Sequence, residues 1–380
     1  MANVLTNLIP NLYQGLDVVS RELVGFIPSV ARNSGAERAA VGESVIVPVS
    51  NAMQSVDVAP AMNVPEPADF TYDTTSIVIN KSKAVPFGLT GEEYKGLNNG
   101  MGANYYIGEN FKQALRTLTN EIESDIAAEV AKSGARAFGS AENTPFASDL
   151  GDAANIRKIL DDNGAPASGR SLVIDTTAGV NMRKLTQLTD AGKAGSVMTL
   201  RQGELLDLFG MSIKESAQVK SFTASTAAGV TLNAAGVGAT ELTMKAGTSG
   251  SLKAGDIITI AGDTNKYVVA ENVSVAASAK LHIAAPGLRV ACTDGAAVTV
   301  VATSVRNAAF VDSAVQLVTR APALAGGADA AVDSYMLTDP RSGLSFEVRV
   351  YQGYRKMRAE VACAWGVKVI KPEHVALLLG

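Results

Sequence analysis

The sequence has few of the side chains from which catalytic and metal sites are usually built. Its 380 residues include only two histidines, His282 and His374, and two cysteines, Cys292 and Cys363. A cluster of several histidines around a metal cannot form, and the cysteines lack the spacing of a zinc site. No glycine-flanked serine stands near either histidine, which argues against a nucleophile elbow. We therefore predict that the protein is not an enzyme and has no catalytic, cofactor-binding or metal-binding residues.

Long hydrophobic runs are also missing. No apolar run approaches the roughly 20 residues of a membrane helix. Asn3, Asn7 and Pro10 interrupt the N-terminus, where a signal peptide would be continuously apolar. The two cysteines sit among apolar neighbours, in VACT and VACAW, and we interpret them as buried small residues of a reducing compartment. These features predict a soluble protein made in the cytoplasm, without a membrane partner.

An excess of positive charge is absent as well. The formal net charge is −4, whereas a dedicated nucleic-acid reader usually carries a concentrated basic face. One cluster is both cationic and aromatic, and a solvated strand and turn explains it more simply than a nucleic-acid patch does. Its members are Arg349, Tyr351, Tyr354, Arg355, Lys356 and Arg358. Any contact with nucleic acid is expected to be weak and independent of sequence.

Aromatic residues nearly disappear in one part of the chain. Between Thr223 and Thr303 the only one is Tyr267, and the apolar residues stand in short runs punctuated by glycine, such as DIITIA at Asp256–Ala261. Such runs are typical of strands and turns. The flanking sequence carries the aromatics, the helical periodicities and most of the charge. This change of composition predicts an inserted β domain over residues 222–303, able to fold by itself.

The N-terminal part of the chain offers apolar residues but little to pack them on. A short amphipathic helix is predicted after Pro10, and Ala31–Ala40 is polar and small. Strands Ser44–Val49 and Ser76–Val85 predict a two-stranded ribbon, which is marginal alone in water. Both segments therefore need a neighbouring surface. Their candidate assembly residues are Leu12, Leu16, Val19 and Leu23 in the helix, and Val58, Val64, Phe70 and Tyr72 in the ribbon.

The strongest helical pattern runs from about Asn104 to Lys132. Its apolar side chains recur three or four residues apart, which places them on one face. We predict that this stripe faces a core and that the helix, nearly 30 residues long, acts as a strut. The stripe comprises Phe111, Leu115, Leu118, Ile122, Ile126 and Val130. The acidic residues of the helix are expected on its outer faces: Glu121, Glu123, Asp125 and Glu129.

The remaining segments predict an α/β layer followed by late strands. Helices are predicted at Asn155–Asp161, Thr176–Leu188 and Arg201–Phe209. Strands are predicted at Ser171–Ile174, Ser212–Val219, Tyr335–Leu337, Ser345–Val350 and Val361–Ile370, and α/β material resumes at Ala314–Val318. The last strand is apolar enough to be buried on both faces. Pro372 is expected to end the regular structure.

Three stretches carry a resemblance to a known family. They are VKSFTASTAAGVTL at Val219–Leu232, SLKAGDIITIAG at Ser251–Gly262 and AEVACAWGVKVIKP at Ala359–Pro372. With the order of elements, they resemble the major capsid proteins of tailed bacteriophages, of the Hong Kong ninety-seven type. The insertion is similar to that of the coat proteins of short-tailed phages infecting Salmonella, whose inserted domain is a small barrel. The resemblance implies an α+β fold.

The resemblance also implies a division of the chain. It gives an N-terminal arm at 1–40, an extended loop at 41–86, a peripheral domain with the spine helix at 87–144 and 340–366, an apical domain at 145–221, 304–339 and 367–380, and an inserted barrel at 222–303. The implied function is a virion shell around double-stranded DNA. The implied partners are further copies in hexamers and pentamers, a scaffolding protein, a portal and, weakly, the packaged DNA.

Other functions remain open from the residues alone. A nanocompartment shell of the encapsulin type would enclose enzymes instead of DNA. A surface-layer or adhesive protein would suit the richness in alanine, glycine, threonine and valine, although the strut helix and the missing signal argue against it. An undetected hydrolase would need His282 or His374.

Overall fold

The computed structural model describes residues 25–49, 55, 73–97, 102–190, 203, 205, 207–325, 330–338 and 343–380. Over these ranges the chain is a mixed α+β protein. The α-helices are α1 (Gly91–Leu97), α2 (Ala103–Lys132), α3 (Gly151–Asp162), α4 (Thr176–Lys184) and α5 (Thr186–Thr189). The strands are β1 (Ala31–Ala39), β2 (Ser44–Val49), β3 (Asp73–Val78), β4 (Lys81–Thr90), β5 (Arg136–Gly139), β6 (Arg170–Ile174), β7 (Ser212–Glu215), β8 (Ser221–Phe222), β9 (Thr231–Leu232), β10 (Glu241–Ala246), β11 (Ser251–Leu252), β12 (Ile257–Ile260), β13 (Lys266–Val268), β14 (Val273–Ser274), β15 (Lys280–His282), β16 (Ala296–Val300), β17 (Ser304–Val311), β18 (Val315–Pro322), β19 (Ala331–Thr338), β20 (Ser345–Gly353), β21 (Lys356–Val369) and β22 (Val375–Leu379).

Helix α2, the spine helix, begins and ends within one residue of the predicted helix. Its 30 residues span about 45 Å at 1.5 Å per residue. The three- and four-residue spacing of its apolar side chains places them along one face. Phe111, Leu115, Leu118, Ile122 and Ile126 are each at most 1% exposed. The helix is therefore held in place by tertiary packing along most of its length.

One sheet packs against the spine helix through its longest strand, β21. Its strands pair along the path β1, β18, β21, β20 and β19, and β4 lies off this path and also pairs with β21. Strand β4 runs antiparallel to β21 over ten residue pairs, from Lys81 opposite Trp365 to Thr90 opposite Lys356. The polar segment Ala31–Ala40, expected to lack a core of its own, instead supplies β1, which pairs in parallel with β18.

We call the described chain outside residues 222–303 the main body. Its second sheet is covered on both faces. It contains β5, β22, β17, β6 and β7 in that order. Alternate residues of β22 face opposite ways: Val375, Leu377 and Leu379 join the core of the spine helix, while Ala376 and Leu378 join the core beneath α3 and α4. The two cores therefore share one sheet, which explains why VALLL is apolar at every position.

Residues 222–303, the predicted insertion and called the insertion below, contain strands and turns but no helix, and the structure describes all of them. Its strands pair in the order β15, β10, β9, β16, β12 and β13. A bridge between Val269 and Ile283 joins the ends of β13 and β15, so the path of pairing returns to its start. The separate core of this region comprises Val230, Leu232, Leu242, Met244, Leu252, Ile258, Ile260, Tyr267, Val269, Leu281, Ile283, Leu288, Cys292 and Ala296.

The insertion is also joined to the main body by strand pairing. Strand β13 runs antiparallel to β5, with Lys266 opposite Ala137 and Tyr267 opposite Arg136. Because β5 also pairs with β22, hydrogen bonding is continuous from the insertion into the second sheet. The composition of the insertion gives no sign of this connection.

Several predicted elements differ from the structure. The predicted strand Ser76–Val85 is two strands, because β3 pairs with β2 and β4 turns away to pair with β21. The predicted helix Thr176–Leu188 is divided by Leu185, which adopts an extended backbone. The described residues of the predicted helix Arg201–Phe209 are not helical, and Leu208 bridges Met211.

Three further differences concern strands. The strand predicted at Ser212–Val219 ends at Glu215. Regular structure does not end at Pro372, because β22 follows it and lies inside the second sheet. Strand β5 was not predicted. Its short sequence RAFG has no distinctive pattern, and it forms a strand through its pairing with β22 and β13.

Candidate functional site

The eight predicted assembly residues all lie outside the described residues. These are Leu12, Leu16, Val19, Leu23, Val58, Val64, Phe70 and Tyr72. The candidate site is therefore described where the two segments that carry these residues join the rest of the chain. We call these two junctions the bases of the segments. These bases are the chain at 25–29 and the paired strands β2 and β3. Both bases contact the spine helix or the strands packed on it.

A buried carboxylate on the spine helix holds the base of the N-terminal segment. Glu123 is fully buried, and its oxygens accept hydrogen bonds from the backbone N–H groups of Gly25 (2.7 Å), Phe26 (2.7 Å) and Ile27 (2.9 Å). The hydroxyl of Ser216 donates a fourth bond at 2.8 Å. Several donors compensate a buried charge that would otherwise be costly. We call these five residues the N-terminal latch.

Packing around the latch is equally close. The ring of Phe26 stacks on Phe310 with centroids 6.0 Å apart. A Cβ at position 25 would lie 2.7 Å from Cγ1 of Val173, so any residue larger than glycine requires a neighbouring group to move. The expectation that Glu123 lies on an outer face of the helix is therefore wrong. From the helical pattern alone such a carboxylate is predicted to face solvent, because its partners are backbone groups that are far away in the sequence.

A second carboxylate of the spine helix holds the base of the ribbon. Asp125 accepts hydrogen bonds from Nε1 of Trp365 (2.8 Å) and from Nζ of Lys81 (2.6 Å). Trp365 lies in β21, and Lys81 begins β4 directly after the ribbon. One turn earlier, Glu121 pairs with Lys83 of β4 at 2.6 Å. These acidic groups bind strands and so are not free solvent-facing charges.

The described part of the ribbon has one buried or half-buried face and one exposed face. At its base, Ile77 and Ile79 are fully buried against Val318 and Ala364, and Nζ of Lys368 donates to the carbonyl of Ser76 at 3.0 Å. The β2 side chains, which pair with this same part of β3, alternate between exposed and half-buried. Ile46 is exposed, as is Val78 on β3. The described part of the ribbon is therefore fixed through one face, and on the other it has exposed apolar side chains.

The members of the predicted cationic and aromatic cluster differ in burial. Arg349 is buried and pairs with Glu347, which also binds Arg38. Tyr354 lies at the turn between β20 and β21 and is 87% exposed, with the guanidinium of Arg355 5.6 Å from its ring centroid. The interpretation as a solvated turn therefore holds for Tyr354 and Arg355 and is wrong for Arg349.

The residues considered for catalysis lie in ordinary structural positions. His282 ends β15, and His374 lies in a 3-10 turn before β22. Both cysteines are buried, and burial raises the pKa of the Cys363 thiol to about 12. Within the described ranges, no three His, Cys, Asp or Glu side chains are grouped so that they could hold a metal ion. None of the helices described has the length and apolar character needed to cross a membrane.

Comparison with known proteins identifies the fold. No protein-family model and no curated protein sequence matches this chain. A capsid structure of the cyanophage P-SCSP1u is similar, with a TM-score of 0.51 and 14% sequence identity over 94% of this chain and 88% of that one. The capsid of an empty GTA particle matches with a TM-score of 0.48 and 10% identity over 94% and 90%. A structure from Mycobacterium phage Che8 matches with a TM-score of 0.44 and 14% sequence identity, over 96% of this chain and 87% of that one.

The cyanophage comparison extends over nearly the whole of both chains. At 14% identity it shows the fold and nothing more specific. The chain therefore has the mixed α+β fold found in a phage capsid.

Proposed function

We propose that this chain is the major capsid protein of a tailed bacteriophage, which assembles into an icosahedral shell around double-stranded DNA. The observation that carries the proposal is the fold similarity to the cyanophage capsid across 94% of the chain. The two bases described above support it independently. At the ribbon base Ile46 and Val78 are exposed apolar side chains, and both bases lead into the segments that carry the predicted assembly residues.

The physical reason for assembly lies in these uncovered residues. Burying apolar area stabilises by about 25 cal/mol per Å², and the exposed apolar side chains of the described ribbon would gain this against another copy. Contacts of this kind are weak singly and strong when many act together. A shell made of such contacts closes stably while its subunits keep the freedom to rearrange.

The finer architecture belongs to the same proposal. We infer an N-terminal arm (1–40), an extended loop (41–86), a peripheral domain (87–144 and 340–366) and an apical domain (145–221, 304–339 and 367–380). We infer further that 222–303 is an inserted small barrel, as in the coat proteins of the short-tailed phages infecting Salmonella. The returning strand path of this region, its separate core and its position between β8 and β17 support this inference.

The proposal includes partners and a place of action. Copies of the chain form hexamers and pentamers on a scaffolding protein, and a portal occupies one vertex. Contacts with packaged DNA are weak, as a net charge of −4 suggests. The chain is made in the host cytoplasm, acts in the virion without catalysis and needs no cofactor or membrane.

Electron microscopy of the purified chain tests the function. The full chain is expressed alone and with a scaffolding protein encoded nearby, and we expect closed shells with hexamers and pentamers. Particles filled with a cargo enzyme would favour a nanocompartment instead. A chain that stays monomeric under all these conditions would overturn the proposal.

Two matched variants test whether the ribbon makes the contact between copies that closes the shell. Ile46 on the ribbon and Val237 in the insertion are 67% and 66% exposed, so aspartate at either position should leave the fold of the subunit intact. We expect Ile46→Asp to prevent shell closure and Val237→Asp to permit it. Thermal unfolding of both variants should match that of the unmodified chain. Normal shells from Ile46→Asp would remove the ribbon from the assembly contacts.

A further inference from the structure

A cavity of about 210 Å³ lies where the spine helix meets the start of the insertion. Its walls come from the C-terminal half of the helix, from the segment 218–222 and from β17. The volume is several times the roughly 30 Å³ that one water occupies in the liquid. The polar and charged residues that line it are Ser124, Lys132, Gln218, Lys220, Ser221 and Arg306.

Arg306 is one of the residues that line this cavity, and its guanidinium has no hydrogen-bond partner among the described residues. The residue is only 2% exposed, yet Nε, Nη1 and Nη2 all lack an acceptor. The guanidinium lies over the ring of Phe222, with its carbon 5.2 Å from the ring centroid. Arginine carries five N–H donors in a fixed plane, and leaving them unpaired in the interior is costly.

The nearest compensation comes from Asp256, and it is incomplete. The negative charge of Asp256 favours the charged form of Arg306, but burial outweighs it and lowers the pKa of Arg306 to about 10. The two oxygens of Asp256 already accept the backbone N–H groups of Ser225 (3.0 Å) and Lys253 (2.6 Å). Asp256 therefore contributes charge, but none of the guanidinium nitrogens of Arg306 makes a hydrogen bond to it.

The cavity is also electropositive. Lys132 and Lys220 line it together with Arg306, and none of its described lining residues is acidic. Among the described residues, the hydrogen bond of Lys220 Nζ is a long one, 3.4 Å to the hydroxyl of Ser124. Three cationic side chains thus belong to the lining of this cavity.

We propose that this cavity is a binding site for a small oxyanion of about the size of phosphate. The guanidinium of Arg306 presents two parallel N–H groups, which is the geometry that binds phosphate and carboxylate oxygens in pairs. The ammonium groups of Lys132 and Lys220 add charge at the edge of the site. The bound anion joins the end of the spine helix to Phe222, and so stabilises the attachment of the insertion. The site does not depend on the proposed shell function.

Calorimetric titration and thermal unfolding of the full chain test the proposal. Inorganic phosphate is titrated at constant ionic strength, with chloride as the exchanged salt, because general screening would otherwise affect the result. We expect saturable binding and an unfolding temperature that rises with phosphate, since a ligand of the folded state stabilises it. A parallel titration with acetate distinguishes a tetrahedral anion from a carboxylate. Light scattering verifies that the assembly state is the same throughout.

Three variants and a control assign the binding to this cavity. Arg306→Lys keeps the charge but loses the fork, so we expect affinity to fall about tenfold or more. Lys220→Glu, at an exposed position, should abolish binding without disturbing the fold, and it decides the question if Arg306→Met fails to fold. Lys280→Ala, a surface lysine of the insertion paired with Glu241, should bind normally. No saturable binding, or equal binding by the unmodified chain and Lys220→Glu, would overturn the proposal.

Discussion

In the main body a 30-residue helix packs against strands of up to 14 residues, whereas the insertion is built from strands of two to six residues. The first region depends on pairings between distant parts of the chain and on buried carboxylates such as Glu123. The second depends on a small aliphatic core and on glycine turns. The comparison teaches that an insertion with its own core is not necessarily independent, because β13 continues the sheet of its host through β5.

Removing one leucine from each core should produce the largest effects and test whether the regions unfold separately. Leu118 in the main body and Leu242 in the insertion are both essentially inaccessible, so Leu→Ala at either costs about 2–5 kcal/mol. We expect Leu118→Ala to lower amide-exchange protection in the spine helix but not in β10, and Leu242→Ala to do the reverse. Hydrogen exchange with mass spectrometry measures this, and a loss shared equally by both regions would show one cooperative unit.

The sequence predicts these two cores unequally. The spine helix follows from its periodic apolar residues, because local spacing is sufficient evidence for one face of a helix. The insertion is predicted by composition, but its individual short strands are not, since two residues such as Thr231 and Leu232 carry no period. VALLL at Val375–Leu379 has the length and apolar character of a buried strand. It was not predicted because Pro372, shortly before it, indicates an end of regular structure.

The contacts of the candidate site are harder to predict than the cores. Glu123 binds backbone groups 96 to 98 positions away, and backbone N–H groups have no sequence identity that could reveal the partnership. For the proposed anion site, the indication in the sequence is weak: Arg306 is a cation within the apolar strand SVRNAAFV. Such long-range polar contacts depend on the complete fold, so local reasoning cannot find them.

Neutralising the latch should give the next largest effect, confined to the main body. Glu123→Gln has nearly the same shape, but its amide NH2 would face a backbone N–H and leave a buried donor unpaired. We expect a loss of about 1.5–3 kcal/mol, together with faster amide exchange at 25–29. Glu109→Gln, which removes a surface pair with Lys112, should cost less than about 1 kcal/mol. Unchanged exchange at 25–29 would contradict the role assigned to Glu123.

Two glycines of the insertion test how closely it approaches the main body. Gly255 and Gly262 both have positive φ, +94° and +89°, so alanine strains the backbone similarly at either. A Cβ on Gly255 would also lie 3.0 Å from Cα of Lys132, whereas nothing is within 4 Å at Gly262. We expect Gly255→Ala to cost about 1 kcal/mol more than Gly262→Ala in urea unfolding. Equal costs would show that the turn does not need this close contact with the spine helix.

The smallest expected effect is a pH dependence that belongs to the main body alone. Burial lowers the pKa of His374, and the nearby cations Lys371 and Arg170 act in the same direction, while Glu373 opposes them. Because the folded state then binds fewer protons than the unfolded one, its stability is complete above the ordinary value of 6.5 and is lost as pH falls toward the lower folded pKa. We expect amide protection of β22 to decrease below pH 6.5 in the unmodified chain. In His374→Gln this decrease should be smaller, while protection of β10 should have the same pH dependence in both proteins. A decrease at β22 that is unchanged by His374→Gln would assign it to other groups, and a parallel change at β10 would show that the sheet continuing through β5 transmits it to the insertion.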